Sequence, residues 1–173
     1  MSELDAEWKQ LLAEAERRAR RAGRVDVGEY LALRQSNDEA RRAGIEWLFE
    51  TFTRLAGEAN RAQAAALSIE RDDAYRFRVG ASTMVGTQVT LRAGEVRALR
   101  IAAGWPRAPK DGIVRGGLAR AEINHFGAPK RTELLLLERA QEELKWIIIV
   151  ENTNARREFL EESARHHITM LLA

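Results

Sequence analysis

The three histidines are the residues of this sequence that could most directly serve catalysis or metal binding: His125, His166 and His167. The last two are adjacent, and adjacent side chains on a helix point about 100° apart, so they would not face a common ion. His125 could act as a general base because an imidazole titrates near neutrality, but no nucleophile or carboxylate motif accompanies it. We therefore expect a structural histidine, no catalytic residue and no bound metal.

A second candidate is the glycine-rich stretch AAGWPRAPKDGIVRGG at residues 102–117. Gly112 and Gly117 have the spacing of a phosphate-binding P-loop, but Leu118 and Ala119 follow where that loop needs a lysine and a hydroxyl residue. The dinucleotide pattern G-x-G-x-x-G does not occur in the sequence. These departures predict that the chain binds no nucleotide cofactor, and we expect no other cofactor.

One short pattern matches a nuclease motif. Glu143 and Lys145 have the Glu-x-Lys spacing of some metal-dependent nucleases, with Asp111 or Glu122 available as a second carboxylate. A match at so few positions often arises by chance, and the segment QEELK is typical of a polar turn.

The chain also has no cysteine, which excludes disulfides, thiol nucleophiles and thiolate metal sites. We expect a protein that is not an enzyme.

Positive charge is concentrated in the middle of the chain. Residues 71–132 contain 12 basic and 5 acidic side chains, whereas residues 1–70 contain 11 and 13, and residues 133–173 contain 5 and 8. Nearly all the basic residues are arginines, which favour bidentate contact with phosphate or carboxylate, although a GC-rich genome would give the same excess. This block could bind nucleic acid. The candidate contacts are Arg76, Arg78, Arg100, Arg107, Lys110, Arg115 and Arg120.

The alternation of residue types predicts how these cations are arranged on a sheet. The expected polar face carries Arg76, Arg78, Arg92, Arg100 and Arg120. Tyr75 and Phe77 would then point to the opposite face, so the arginines would lack the aromatic platforms on which single-strand binders stack bases. The alternative is a solvated face on which arginine stems cover apolar surface.

The glycine-rich stretch is expected to form a long ordered loop. Pro106 and Pro109 keep the residues before them in extended backbone, and loops of this length are often functional. We expect Trp105 to anchor the loop by packing into the fold. The side chains expected to project toward an anionic partner are Arg107, Lys110 and Arg115.

The elements that would position these candidate residues can be predicted from periodicity. Helical periodicity dominates the first 70 residues. Apolar residues recur at spacings of three and four in residues 4–15 and again in residues 45–59. Ser36 and Glu39 fit a capping box, which predicts that the second helix starts at residue 37, and its pattern continues to Leu67. After Asp72 and Asp73 the period changes from 3.6 to 2, which predicts strands.

Two apolar runs, residues 134–137 and 146–150, are apolar at consecutive positions and predict strands covered on both faces. The first run could instead be helical, because ELLLLERAQEELKW consists of helix formers, but we favour a hairpin. A last helix is expected after the cap formed by Asn152 and Asn154. The sequence therefore predicts an α+β fold with N-terminal helices, a mainly antiparallel sheet of five to six strands, and a C-terminal helix packed on the sheet. Residues 1–70 would form a helical segment continuous with the core, and residues 71–173 the sheet and last helix.

The absence of a site motif leads to an interaction hypothesis. We expect a non-enzymatic, homo-oligomeric assembly protein, because four tryptophans and long apolar faces suit an interface and symmetric dimers are common. The expected interface residues are Ile45, Leu48, Phe52, Leu55, Trp146 and Ile148. The alternative is nucleic-acid binding through residues 71–132, and a third hypothesis is a small ligand held in a cupped sheet. The acidic N-terminal segment and the short apolar runs predict a cytoplasmic protein with no membrane partner.

Overall fold

The structure is a computed structural model that describes residues 3–62, 66–153 and 155–173. It divides into two compact units after Arg42, which we call the helical unit (residues 1–42) and the sheet unit (residues 43–173). The periodicity of the sequence predicts instead a helical segment over residues 1–70 that is continuous with the core. Helix α1 (Glu3–Arg21) and the first part of helix α2 (Val25–Arg61) belong to the helical unit.

The helical unit is an antiparallel helix hairpin. Gly23, at φ +70°, makes the turn between the helices, because glycine adopts this left-handed conformation without strain. The Trp8 indole nitrogen donates to the Asp38 carboxylate at 3.1 Å, across the two helices. The predicted start of α2 at residue 37 is wrong, because the turn at Gly23 lets α2 begin at Val25. Ser36 and Glu39 lie within α2, and Glu39 accepts a hydrogen bond from Gln35, one turn earlier in the same helix.

The sheet unit contains an antiparallel meander in which each strand pairs with the next along the chain. Within the described residues there are seven strands, so the predicted antiparallel α+β fold is confirmed with a slightly larger sheet. The strands are β1 (Leu67–Val79), β2 (Ser82–Ala93), β3 (Arg97–Trp105), β4 (Ala119–His125), β5 (Glu133–Ala140), β6 (Glu143–Ile149) and β7 (Arg156–Glu158). Helix α2 does not reach Leu67, where β1 starts, and residues 63–65 lie outside the described residues.

The C-terminal helix α3 (Glu161–Leu172) begins after β7 and not directly after the predicted asparagine cap. Leu160 occupies the N-cap position, whereas Asn152 is in the preceding turn and Asn154 lies outside the described residues. The predicted hairpin between β5 and β6 is confirmed. Gln141 and Glu142 both have positive φ, at 49° and 69°, as a tight two-residue hairpin turn requires.

The core of the sheet unit lies between one face of the sheet and the helices α2 and α3. The residues expected at an oligomer interface are part of this core: Ile45, Leu48, Phe52, Leu55, Trp146 and Ile148 are each at most 7% exposed. Trp146 also donates its indole N–H to the Gly44 carbonyl oxygen at 2.8 Å. A contact between copies through these side chains would require the core to open, so they are not available as a surface.

The opposite face of the sheet, which we call the open face, carries the alternate residues of each strand. In β5 and β6 these are Leu134, Leu136, Ile147 and Ile149. Leu136 is buried and the other three are half-buried. The consecutive apolar runs in the sequence therefore reflect one face in the core and a second, apolar open face.

Candidate ligand-binding groove

A β-bulge in β1 decides which side chains reach the open face. Before the bulge Arg71 pairs with Val89, but after it Tyr75 pairs with Gly86, so the register shifts by one residue between Asp72 and Tyr75. Side chains alternate between the two faces along a strand, so an extra residue moves every following side chain to the opposite face from the one that simple alternation predicts. The Asp72 carboxylate stabilises the bulge by accepting the backbone N–H of Ala74 at 2.9 Å.

The bulge overturns the predicted arrangement of cations and aromatics. Arg76 pairs with Val85 and Arg78 with Thr83, which places both arginines on the helix side of the sheet. Tyr75 and Phe77 lie instead on the open face, the face that also carries Arg92, Arg100 and Arg120. The sequence-based expectation that the aromatic residues and these three arginines lie on opposite faces is therefore wrong. The adjacent acids Asp72 and Asp73, which interrupt the alternation, were the sequence signal for the bulge.

The two aromatic rings of β1 form one wall of a groove on the open face. The Tyr75 and Phe77 rings stack with centroids 6.1 Å apart and an angle of 19° between their planes. Phe126, just beyond β4, is 64% exposed at the other side of the groove, although exposed phenylalanine is uncommon. The cavity has a volume of about 370 Å³, within the range of small-molecule sites. Its lining is Tyr75, Phe77, Gln88, Arg100, Ala102, Glu122, Asn124, His125, Phe126, Gly127, Pro129 and Thr132.

The floor and the polar groups of the groove come from β2, β3 and β4. Ala102 pairs with Gln88 on one side and with Glu122 on the other, so its small side chain leaves room between longer neighbours. The Asn124 amide donates to the Glu122 carboxylate and accepts the Thr132 hydroxyl at 2.7 Å. These hydrogen bonds hold one amide and one carboxylate in fixed positions at the groove.

Arg100 supplies the positive charge of the groove. It is exposed in the middle of β3 and pairs across the sheet with Thr90 and Asn124. Among the described residues, no carboxylate forms an ion pair with its guanidinium. Arg120 lies farther along the same face, where it is half-buried and burial lowers the pKa of its guanidinium. Arg100 is therefore the cation of this face that is best placed to bind an anionic group.

The glycine-rich loop matches the expectation only in part. Trp105 is 5% exposed and packs into the core, as predicted. The Arg107 guanidinium lies 3.5 Å from the centre of the Trp105 ring and its Nε donates to the Val85 carbonyl at 3.4 Å, so the prediction that it projects is wrong. Lys110 and Arg115 are exposed, whereas Arg76 forms an ion pair with the buried Asp111 at 3.2 Å.

A buried histidine relay lies on the helix side of the sheet, next to the end of the groove. His125 Nε2 and His167 Nδ1 are 2.9 Å apart, and His167 Nε2 is 3.1 Å from a carboxylate oxygen of Glu133. Burial, followed by the nearby His167 and Arg131, lowers the pKa of His125 to about 4. The hydrogen bond from His167 is the main cause that lowers the pKa of Glu133, and Arg157 adds to it at 3.8 Å. The pairing of His125 with His167 is not evident from the sequence, because 42 residues separate them.

The described part of the chain has no cluster of three His, Cys, Asp or Glu side chains that could hold a metal ion. Lys145, considered above for a nuclease, pairs with Glu143 and Glu158 at 3.5 and 3.6 Å at the start of β6. What the groove can do is stack a planar ring against aromatic side chains and hold an anionic group at Arg100.

Comparisons with known proteins give no further assignment: no family profile, no curated protein and no solved structure matches this chain. In the described ranges, no helix combines the length and the apolar character that a membrane crossing needs.

Proposed function

We propose that this protein binds single-stranded nucleic acid on the open face of its sheet, without catalysing a reaction. One observation carries the proposal: the bulge in β1 brings Tyr75 and Phe77 onto the same face as Arg100, around a groove that Phe126 closes on its other side. An antiparallel sheet with helices on one face and exposed aromatics on the other is a common platform for unpaired bases.

The chemistry of the groove fits a nucleotide unit. A base would stack on the half-buried rings of Tyr75 and Phe77 or on the exposed Phe126. The adjacent phosphate would be attracted by the Arg100 guanidinium, which has no carboxylate partner among the described residues. The amide of Gln88 and the hydroxyl of Thr132 line the same groove and could donate to a base edge. Single strands are favoured over duplexes because the bases of a duplex are stacked on each other and their faces are not accessible.

The surroundings of the groove favour a polymer over an isolated small ligand. Residues 71–132 carry 12 basic and 5 acidic side chains, and Lys130 and Arg131 are exposed directly beside the groove-lining Pro129. A strand that extends beyond the groove would meet these further cations and release counterions from its phosphates. A small planar anion, which would use the groove alone, is the alternative.

The test is fluorescence anisotropy with labelled single-stranded RNA and DNA of mixed sequence and with the corresponding duplexes, at low salt. We expect Phe77→Ala to weaken single-strand binding about 5- to 150-fold, because loss of one stacked base costs about 1–3 kcal/mol. Arg100→Ala should weaken it as well. Arg97→Ala is the matched control, since Arg97 is an exposed arginine of the same strand on the other face. It should have a clearly smaller effect than Arg100→Ala.

The outcomes separate the hypotheses. Absence of binding to any of the oligonucleotides at low salt would refute the proposal. Equal losses for the Arg97 and Arg100 variants would show that total charge matters and the groove does not, which would also contradict it. Tight binding of a nucleoside monophosphate, with no gain in affinity for a longer strand, would favour the small-ligand alternative.

A further inference from the structure

A carboxylate lies within the groove on the open face. Glu122 is half-buried in the middle of β4 and lines the groove. Arg100 and Arg120 lie on the same face, but among the described residues neither forms an ion pair with Glu122. A negative charge repels phosphate, so a carboxylate at this position opposes the binding of a nucleic acid unless it makes a favourable contact with another part of the ligand.

Hydrogen bonds hold the Glu122 carboxylate in one orientation. The Asn124 amide nitrogen donates to Oε1 of Glu122, and the Asn124 amide oxygen accepts the Thr132 hydroxyl at 2.7 Å. No other group in the described part of the chain donates to this carboxylate. Each carboxylate oxygen can accept two hydrogen bonds, so Oε1 has one lone pair left and Oε2 has two. Glu122 therefore offers two adjacent acceptors in a fixed direction.

The floor of the groove beside Glu122 has room for the edge of a base. Gln88 pairs with Ala102, and Ala102 pairs with Glu122, so the three residues form one row across the sheet. Neighbouring strands lie about 4.8 Å apart, which places the backbones at Gln88 and Glu122 about 10 Å apart with only a methyl group between them. A base that stacks on a wall of the groove turns one edge toward this floor, and Glu122 lies beside it.

The four bases differ in the donors that such an edge presents. Guanine has two adjacent donors, N1–H and the N2 amino group, which match the two oxygens of a carboxylate. Adenine and cytosine have one amino group next to a ring nitrogen that only accepts. Uracil has N3–H between two carbonyl oxygens, which a carboxylate repels. A fixed carboxylate with two available oxygens therefore favours guanine over the other bases.

We propose that the groove selects guanine among the bases of a single strand, with the Glu122 carboxylate accepting N1–H and the N2 amino group. The proposal rests on single-strand binding at this groove and names the base that the groove prefers. Asn124 is a positioning residue, because it orients the carboxylate through its amide. The preference also gives a reason for a carboxylate on a face that attracts phosphates, since donors of the ligand compensate its charge.

Fluorescence anisotropy with a set of labelled single-stranded RNAs tests the preference. The strands share flanking sequences free of guanine and differ at one central nucleotide, which is guanosine, inosine, adenosine, cytidine or uridine. The wild-type chain should bind the guanosine strand about tenfold more tightly than the adenosine, cytidine and uridine strands, as expected for one bidentate contact to a base. The inosine strand should have intermediate affinity, because inosine keeps N1–H but lacks the N2 amino group.

Two glutamate variants test the role of the carboxylate. Glu122→Gln keeps the size of the side chain but replaces one acceptor oxygen by a donor, so it should remove the preference for guanosine without weakening the binding of the uridine strand. Glu70→Gln is the matched control, because Glu70 is an exposed carboxylate of the same face, paired with Arg92 at 3.4 Å and outside the groove lining. It should keep the preference, and thermal melting checks that both variants fold.

The outcomes distinguish this inference from the proposed function. Equal affinity for all five strands would overturn the preference for guanine but leave single-strand binding in place. Absence of binding to every strand would overturn both. A preference for guanosine that persists in Glu122→Gln, or that is lost to the same extent in Glu70→Gln, would overturn the assignment to Glu122.

Discussion

Replacement of His125 by phenylalanine should make the stability of the protein less sensitive to acid. The folded protein holds the pKa of His125 at about 4, below its ordinary value of 6.5, because the imidazole is buried and faces His167. The unfolded chain therefore takes up a proton more readily than the folded one at intermediate pH. The stability that depends on neutral His125 is complete above pH 6.5 and is lost as the pH falls from 6.5 toward 4.

The size of the effect follows from the two pKa values. The shift from 6.5 to about 4 corresponds to about 3 kcal/mol at most, at 1.36 kcal/mol per pKa unit. Between pH 7.5 and pH 5 the expected loss is about 2 kcal/mol, because the unfolded imidazole is already mostly protonated at pH 5 while the folded one is not. The lowered pKa of Glu133 acts in the same direction, but only below its ordinary value of 4.5.

The assay is urea unfolding at pH 7.5 and pH 5, which gives the free energy of unfolding at each pH. The free energy of unfolding of the wild-type chain should fall by about 2 kcal/mol from pH 7.5 to pH 5. For His125→Phe it should fall by only a small part of that amount, whatever the absolute stability of the variant. His166→Phe is the control, because His166 is exposed and outside the relay, and it should keep the wild-type difference. If His125→Phe shows the full wild-type loss, the assignment of acid sensitivity to the buried imidazole is wrong.

Two further predictions concern the loop and the centre of the sheet. The double variant Lys110→Ala and Arg115→Ala should leave the melting temperature nearly unchanged, since both side chains are exposed. It should also make the slope of log binding constant against log salt concentration shallower by about 0.7 for each lost phosphate contact with a single strand. An unchanged slope in a salt titration would exclude the loop from the binding surface. Gly86→Ala should destabilise the fold by more than about 2 kcal/mol in urea unfolding, because the added carbon would lie 2.0 Å from the Ala103 carbonyl oxygen. Gly116→Ala meets open space at φ +74° and should cost only about 1 kcal/mol, so equal losses for the two variants would contradict the steric argument.

The fold was predictable from the sequence where a short-range pattern determined it. Alternating apolar residues identified most strands, and the polar segment between the two apolar runs identified the hairpin at Gln141 and Glu142. The start of α2 was not predicted correctly because Ser36 and Glu39 match a capping box although they lie inside the helix. The helix already begins at Val25, after the turn at Gly23. Local signals do not reveal which of two competing starts is used.

The site was less predictable than the fold. One extra residue near Asp73 exchanged the two faces for the rest of β1, so a correct strand assignment still gave the wrong face for Tyr75 and Phe77. The pairing of His125 with His167 depends on how α3 packs across the sheet, which no local pattern encodes. The residues of the groove come from the four consecutive strands β1 to β4 and from the segment between β4 and β5, and only the register of the meander brings them together.

The meander leaves two unpaired strand edges, and these have a consequence for solubility. An exposed edge can pair with the edge of another molecule and start aggregation unless charge, a bulge or shortness prevents it. The edge strand β7 is only three residues long, and all three are charged and exposed. The other edge strand, β1, is 13 residues long and would be a strong template, but the bulge interrupts it. Its charged residues are Glu70, Arg71, Asp72, Asp73, Arg76 and Arg78. Both edges thereby carry features that oppose edge-to-edge pairing, so we expect concentrated protein not to extend the sheet from one molecule to the next.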